Sequence, residues 1–258
     1  MCILAWDWQP GSEIPLLLIG NRDEYYARPA QALDWWKGDQ ILAGKDLQAG
    51  GTWLGVSRQG RLAALTNYRL PVIDTAPRPS RGELTTRFLQ GDASPEQYLS
   101  ALALEADRYN PFNLLVWDGE ILLGFESRHR KIVTLSPGIS AVSNADFDTP
   151  WPKVQRLKGG LQQLRQAGHI SKADLLALLQ DRKQAVDPEL PRTGISLEME
   201  RLLSATFITS TSYGTRASSI VQMGANSVRF LEQSYGETSL LTTTAHDFAV
   251  GTPRMRLV

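Results

Sequence analysis

The sequence predicts an α+β protein in which two β-sheets pack together with helices outside. Two observations lead there. Strand-like runs occupy both ends of the 258-residue chain and helical patterns its middle. Several of the strand runs are apolar without alternation, as strands covered on both faces are. No low-complexity tract, 20–50-residue repeat or linker-like stretch interrupts the chain, so one domain over residues 1–258 is expected.

The elements follow in order. Cys2 to Trp8 and Pro15 to Gly20 form a β-hairpin about Gln9-Pro10-Gly11-Ser12. Its return arm is apolar at Leu16, Leu17, Leu18 and Ile19 and ends in Asn21-Arg22-Asp23-Glu24. Residues 22–38 have no clean period and carry Tyr25, Tyr26, Trp35 and Trp36, which predicts an aromatic-rich loop over the hairpin end. A short strand covers Ile41 to Ala43. Gly44 to Gly51 is a glycine-punctuated connection, and it lacks the Gly-Lys-Ser/Thr ending of a phosphate loop. Thr52 to Ser57 and Arg61 to Asn67 form a second hairpin. Gly82 to Leu89 is a short helix. Ser94-Pro95-Glu96-Gln97 opens a better one, with a capping serine, proline at the first position and Gln97 three residues on. Strands return at Asn113 to Trp117, Glu120 to Glu126, Lys131 to Leu135 and Ile139 to Ser143. Trp151 to Gln166 reads as a helix weakened by Gly159-Gly160. Ser171 caps another through Asp181, with Asp174 at its third position. Gln184 to Gly194 is a loop, and Ser196 to Leu203 one or two helical turns. The chain closes with strands at Ala205 to Ser210, Ala217 to Met223, Ser227 to Glu232 and Ser239 to Thr244.

Composition narrows the function. Hydrophobic residues are 42%, charged residues 21%, and the formal net charge is zero. No block of Lys/Arg offers itself to phosphates, so nucleic acid is not an expected partner. The apolar runs are too short to span a bilayer, and the first residues lack the basic region of a targeting peptide. A single cysteine rules out an internal disulfide framework and fits a reducing compartment. A cytoplasmic protein is expected. His129, His169 and His246 are scattered without ligand-like neighbours, so neither a metal nor another cofactor is expected.

That cysteine is the second residue. Removal of Met1, expected before a small residue, would give Cys2 a free α-amine of pKa roughly 7.7–8 beside its thiol. An N-terminal nucleophile can thus carry its own base. Cys2 could equally be a small buried hydrophobe, and Asn-Arg-Asp-Glu a solvated turn. The hairpin, however, returns residue 21 to the chain start. Arg22 and a protonated α-amine would favour the thiolate, so an acidified thiol is expected, with burial opposing.

The motifs then resemble a known family. Asn21-Arg22-Asp23-Glu24 matches the motif of the NRDE family, also called the transport and Golgi organisation protein 2 family. So, in order, do Gly50-Gly51-Thr52-Trp53-Leu54-Gly55, Thr66-Asn67-Tyr68-Arg69, Asn110-Pro111-Phe112-Asn113-Leu114-Leu115, Ser143-Asn144 with Asp148-Thr149-Pro150-Trp151-Pro152-Lys153, and Tyr213-Gly214-Thr215-Arg216. The resemblance implies a four-layer αββα sandwich of two antiparallel sheets, similar to bile-salt hydrolases and penicillin V acylases. It implies Cys2 as nucleophile, Arg22 and Asp23 as its supports, Asn67 and Asn144 at the oxyanion, and Arg216 as a late arginine. Asp23 and Glu24 compete for the aspartate role. The implied activity is that of a cysteine N-terminal-nucleophile amidohydrolase or acyltransferase on a non-peptide amide or thioester. The alternative is a non-catalytic carrier of haem, acyl-CoA or another lipid-like ligand in the same pocket. The partner is then a small molecule, and oligomeric state is left open.

Overall fold

The computed structural model describes residues 2–71 and 77–250. Met1, whose removal is expected from the sequence, lies outside the described residues. In chain order the strands are Cys2–Trp8 (β1), Leu16–Tyr25 (β2), Ala30–Trp35 (β3), Ile41–Asp46 (β4), Leu54–Ser57 (β5), Leu62–Asn67 (β6), Phe112–Trp117 (β7), Leu122–Glu126 (β8), Lys131–Thr134 (β9), Gly138–Val142 (β10), Tyr213–Met223 (β11), Ser227–Tyr235 (β12) and Leu240–Ala249 (β13). The helices are Gly82–Gln90 (α1), Pro95–Glu105 (α2), Pro152–Gln166 (α3), Lys172–Leu179 (α4) and Leu197–Leu202 (α5).

All strand pairs among the described residues are antiparallel. One sheet has the order β10-β1-β2-β11-β12-β13, the other β3-β4-β5-β6-β7-β8-β9. The period-2 alternation of strand side chains divides the core into three apolar layers. Leu4, Trp6, Leu16 and Leu18 meet Leu54, Val56, Leu62 and Leu115 between the sheets. Ile3, Ala5, Leu17 and Ile19 point the other way, onto Val154, Leu157 and Leu161 of α3 and Leu175 and Leu179 of α4. On the second sheet Ala63, Leu65, Leu114 and Val116 meet Leu84 and Phe88 of α1 and Leu99 and Leu102 of α2. Each fully buried leucine contributes about 1.5–3 kcal/mol of transfer free energy. The order is therefore α, β, β, α, the sandwich that the sequence predicts. Both central strands of the first hairpin are covered on both faces, which is why Leu16 to Ile19 show no alternation.

Two expectations are corrected, and a third, the helix after Trp151, is met. The stretch 22–38 is not a loop: β2 continues through Tyr25, and β3 forms an edge strand. Its period is hidden because Leu33 alone is fully buried and the register slips between Gln31 and Asp34. Ala205 to Ser210 is not a strand. Its apolar residues are buried, but beyond an isolated Thr209–Gly214 bridge it forms no ladder: Phe207 N–H donates to the Asp181 carbonyl (2.8 Å) and Ile208 N–H to Thr215 Oγ1 (2.9 Å). Burial, not pairing, explains the apolar run. Helix α3 passes unbroken through Gly159-Gly160, because the buried stripe Val154, Leu157, Leu161 outweighs propensity. The capping boxes at Ser94 and Ser171 form as the sequence implies. Among the described residues no helix is long and apolar enough to cross a membrane.

The Gly50-Gly51 pair has a packing role that places α1. Gly51 has φ +74°, and a Cβ there would lie 2.5 Å from the Gly82 carbonyl carbon. The Thr52 amide donates to the Gly82 carbonyl across the same contact (3.3 Å). Gly51→Ala should therefore lower stability by about 1–3 kcal/mol from backbone strain alone, before the clash is counted. Urea unfolding should show the midpoint falling at unchanged m.

Candidate active site

The two sheets part at the end of the sandwich where β1 begins and β2 ends. A cavity of about 570 Å³ opens there, lined from both sheets and from the start of α1. Cys2, Arg22, Asp23, Asn67 and Arg216 all contribute to its wall. The β1–β2 ladder places Cys2 directly opposite Arg22. Directly opposed residues share a face, so both belong to the face that carries Leu4 and Leu18 towards the second sheet. Asn21 and Asp23, one step out of phase, belong to the helix-facing side.

Each arm of the motif then has its own environment. The Asn21 amide, fully buried, donates to the carbonyls of Leu179 and Thr206 (2.8 Å each) and accepts from Ser218 Oγ (2.7 Å). It ties β2 to α4 and the 205–210 segment. Arg22 is 12% exposed, with Nη2 3.8 Å from Asp46 Oδ2 and 3.9 Å from Glu24 Oε2. Asp46 also receives Arg28 (2.7 Å). Burial alone would raise Asp46, but amides of Ala49 and Gln48 and the Arg28 guanidinium hold it below the usual carboxylate range. Asp23, 1% exposed, accepts from Thr215 Oγ1 (2.8 Å). Burial raises its carboxyl, and nearby Lys153 is the strongest charge pulling the other way. Glu24 is engaged at the rim, accepting from the Tyr25 amide and flanked by Arg22 and Arg28. Asp23 is thus the buried carboxylate behind Cys2.

The two asparagines meet although 77 positions separate them in sequence. Asn144 Nδ2 donates to the Asn67 carbonyl (2.8 Å), and Ser143 Oγ donates to the Cys2 carbonyl (2.9 Å). Asn67 belongs to the cavity wall, and Asn144 is fully buried behind it. Arg216 occupies a β-bulge between Thr215 and Ala217. Its Nη1 donates to the carbonyls of Tyr25, Tyr26 and Arg28 (2.9–3.1 Å) and its Nε to that of Tyr235. It clamps the turn after β2 over the cavity.

An acidified thiol is expected once Met1 is removed; in the full chain burial dominates. Burial pushes Cys2 up, and Asp23 adds to this, against the lowering pull of Arg22. A 6% exposed thiol is desolvated more than Arg22 compensates.

Two residues near the site were given no role in the sequence reading. Arg81, at the start of α1, lines the cavity; burial lowers its pKa while Cys2 and Glu24 pull it back. Lys153 lies in the first turn of α3, 1% exposed. Burial brings its pKa down to about 8. The signal for Lys153 was its helical spacing: i+4 to Leu157 puts it on the apolar stripe. Among the described residues no cluster of His, Cys, Asp and Glu suited to a metal is found.

This architecture is that of the N-terminal-nucleophile hydrolases. A cysteine-to-alanine variant of the conjugated bile acid hydrolase from Clostridium perfringens superimposes with TM-score 0.56 at 10% identity, covering 96% of this chain and 92% of that one. An arginine-to-leucine variant of the same enzyme gives 0.56 at 9% identity, covering 99% of this chain and 100% of that one. At such identity the likeness is one of fold. The sequence goes further. The family model described as Transport and Golgi organisation 2 matches residues 1–237, and the chain belongs to that family. The Transport and Golgi organization protein 2 homolog of Bos taurus is 35% identical, covering 96% of this chain and 99% of that protein. The Homo sapiens homolog is 34% identical over 93% and 95%.

One wall carries its own pH signature. Glu232 on β12 is 3% exposed, and its Oε1 accepts from the Leu33 amide on the other sheet (2.9 Å) and from Ser234 (3.1 Å). Burial nevertheless raises its carboxyl above the usual 4.5. The folded state therefore holds this proton more tightly than the unfolded one, and stability falls as pH rises through 4.5 to the folded value. Glu232→Gln keeps the acceptor without the charge. It should be at least as stable as wild type at pH 7, and the advantage should vanish below pH 4.5. Urea unfolding at the two pH values checks this.

Proposed function

We propose that the protein is a cysteine amidohydrolase or acyltransferase of the N-terminal-nucleophile type, acting on a non-peptide amide or thioester. The observation that carries the reading is the register that sets Cys2 opposite Arg22 at a cavity of about 570 Å³. That volume falls within the range of small-molecule sites. The lining holds six cations, Arg22, Arg28, Lys45, Arg78, Arg81 and Arg216, against four carboxylates, Asp23, Glu24, Asp46 and Glu232. A substrate with negative charge suits it.

The proposed cycle begins with removal of Met1. The exposed α-amine of Cys2 takes the thiol proton, and the sulfur attacks the acyl carbon. The Asn67 side chain donates to the resulting oxyanion, a contribution of about 3 kcal/mol. Asn144 is assigned to the same oxyanion, with one amide hydrogen already committed to holding Asn67. Arg22 steadies the sulfur, Asp23 the amine, and Arg216 the turn that covers them. Collapse breaks the carbon–nitrogen or carbon–sulfur bond, and the ammonium returns its proton to the leaving group. Water or an amine then resolves the thioester on Cys2. A free thiol of this kind persists in a reducing compartment, so the proposal places the protein in the cytoplasm.

One observation favours a second reading, a carrier that holds haem, acyl-CoA or a related lipid without turnover: burial pushes the Cys2 thiol up, which lowers the share of the nucleophilic thiolate. An activated acyl thioester separates the two. Intact mass should show one acyl group on Met1-processed protein and none on Cys2→Ala or on a Met1-retained control. Arg22→Ala should slow acylation about a hundredfold through lost positioning. Absence of an adduct on processed protein would leave the carrier as the better account.

A further inference from the structure

The motif Asn110-Pro111-Phe112-Asn113 crosses the entry to β7, and its first residue has no part in the proposed cycle. Asn113 is structural: its Nδ2 donates to the Ala145 carbonyl (2.8 Å) and to Thr66 Oγ1 (3.2 Å). The β6–β7 ladder sets Phe112 opposite Asn67, and one step further the Tyr68 amide donates to the Pro111 carbonyl (3.0 Å). The same carbonyl accepts from Arg81 Nη1 (3.1 Å). The Arg81 guanidinium is thereby held at the strand end that carries Asn67. Asn110 is the next residue out, half-buried, and its side-chain amide has no hydrogen-bond partner among the described residues. Asn67, Arg81 and Asn110 line the same cavity as Cys2. A strand advances about 3.3 Å per residue, so the backbone at Pro111 and Asn110 lies roughly 3–7 Å beyond the Asn67–Phe112 pair.

The other cations of the lining are committed. Arg22 and Arg28 pair with Asp46 and Glu24. Arg216 donates to four backbone carbonyls, Arg78 to those of Asp107 and Tyr109, and Lys45 lies over the Trp36 ring (4.9 Å). Arg81 spends Nη1 on Pro111 and, among the described residues, has no carboxylate partner. Its Nε–Nη2 edge is a two-donor fork, the shape that matches the two oxygens of a carboxylate. The amides opening α1 are already used: Gly82 N–H donates to Ser80 Oγ (3.3 Å), Glu83 N–H to the Ser80 carbonyl (3.2 Å) and Leu84 N–H to the Arg81 carbonyl (3.0 Å). The donors on this wall are therefore side chains. Four carboxylates share the lining, which favours a singly charged group over a phosphate dianion.

We propose that Arg81 and Asn110 form a carboxylate subsite, and that the substrate is a short acyl chain carrying a free carboxylate at its far end. The proposal rests on Cys2 as the reacting atom of the proposed function. With the reacting carbonyl at Asn67, the Arg81 fork takes both oxygens of the terminal carboxylate and the Asn110 amide donates to one of them.

The test compares the glutaryl and pentanoyl thioesters of N-acetylcysteamine, which share a chain length and differ in the carboxylate. Acylation of Cys2 is followed by intact mass on Met1-processed protein, with Cys2→Ala as the blank. At subsaturating probe, wild type should take the glutaryl group about tenfold faster. Arg81→Gln should bring that ratio close to one, and Arg81→Lys should recover part of it. Asn110→Ala, which breaks no hydrogen bond of the fold, should lower it about threefold. A ratio near one in wild type, or an unchanged ratio in folded Arg81→Gln, would overturn the proposal. Where Arg81→Gln does not fold, Asn110→Ala decides. A second arm titrates Cys2→Ala protein calorimetrically with glutarate and with inorganic phosphate. Glutarate should bind, and adding Asn110→Ala should weaken it; binding of phosphate in its place would overturn the carboxylate assignment. Glutarate binding in protein that forms no adduct would support the subsite while removing the hydrolase reading. Adducts formed at equal rates from both thioesters would do the reverse.

Discussion

The backbone register of β1 against β2 is the constraint on which the site depends. Both strands are buried on both faces, so the apolar pattern alone would tolerate a slip of one residue, and such a slip would turn Cys2 towards the helices. Gly20 removes that freedom. It faces Leu4 so closely that a Cβ would lie 2.6 Å from Leu4 Cδ2 and 2.7 Å from the Ile3 carbonyl oxygen. With Leu4 fixed against Gly20, Cys2 must face Arg22. The same ladder continues into β11, where the bulge at Arg216 lets its guanidinium reach back over the turn at Tyr25 and Tyr26.

Most of the buried charge gathers at the cavity end of the sandwich, while Asp7 and Arg61 are buried at the other end. Asp23, Arg69, Lys153, Glu200 and Glu232 are all buried. Burial of charge weakens a fold unless pairing offsets it, and here the offset is partial: Arg69–Glu200 is a close pair, whereas among the described residues the Lys153 amine has no hydrogen-bond partner. Low surrounding polarizability makes each remaining interaction stronger than it would be in water. Stability is thus concentrated in the apolar layers, and the charged end is held in place by its neighbours rather than by itself.

How much of this could be read from sequence follows from which signals are local. The first hairpin was legible because its turn residues and apolar arms are contiguous. The capping boxes at Ser94 and Ser171 were legible for the same reason. Edge strand β3 was not, because an edge strand with one fully buried side chain has no period to detect. The segment at 205–210 failed in the opposite sense, since a buried irregular chain and a buried strand carry the same residues. In the site, Cys2 and Arg22 were legible from the hairpin itself. The contact of Asn144 with the Asn67 backbone joins the end of β6 to a distant segment after β10, and only the motif resemblance pointed to it. Lys153 escaped because a lysine is read as solvent-facing, even where i+4 spacing to Leu157 contradicts that reading.

The division of labour between the sheets has a chemical consequence. Cys2, Arg22, Asp23 and Arg216 belong to the six-stranded sheet, and their geometry is fixed by ladder hydrogen bonds and the Gly20–Leu4 contact. Lys45, Asp46, Asn67 and the α1 residue Arg81 belong to the opposite wall, carried by the seven-stranded sheet and by a helix docked on Gly51. On the proposed reading, the nucleophile and its supports belong to the first wall, and the oxyanion donor Asn67 and the recognition of the rest of the substrate to the second. The walls touch through polar links that include Arg22 to Asp46, Glu232 to Leu33 and Asn144 to Asn67. Side chains on β4 and at the start of α1 can therefore change in charge or size without altering the register that holds Cys2 against Arg22. On the proposed reading, such a fold keeps one nucleophile geometry while its substrate range is set elsewhere, in the wall that carries Lys45 and Arg81.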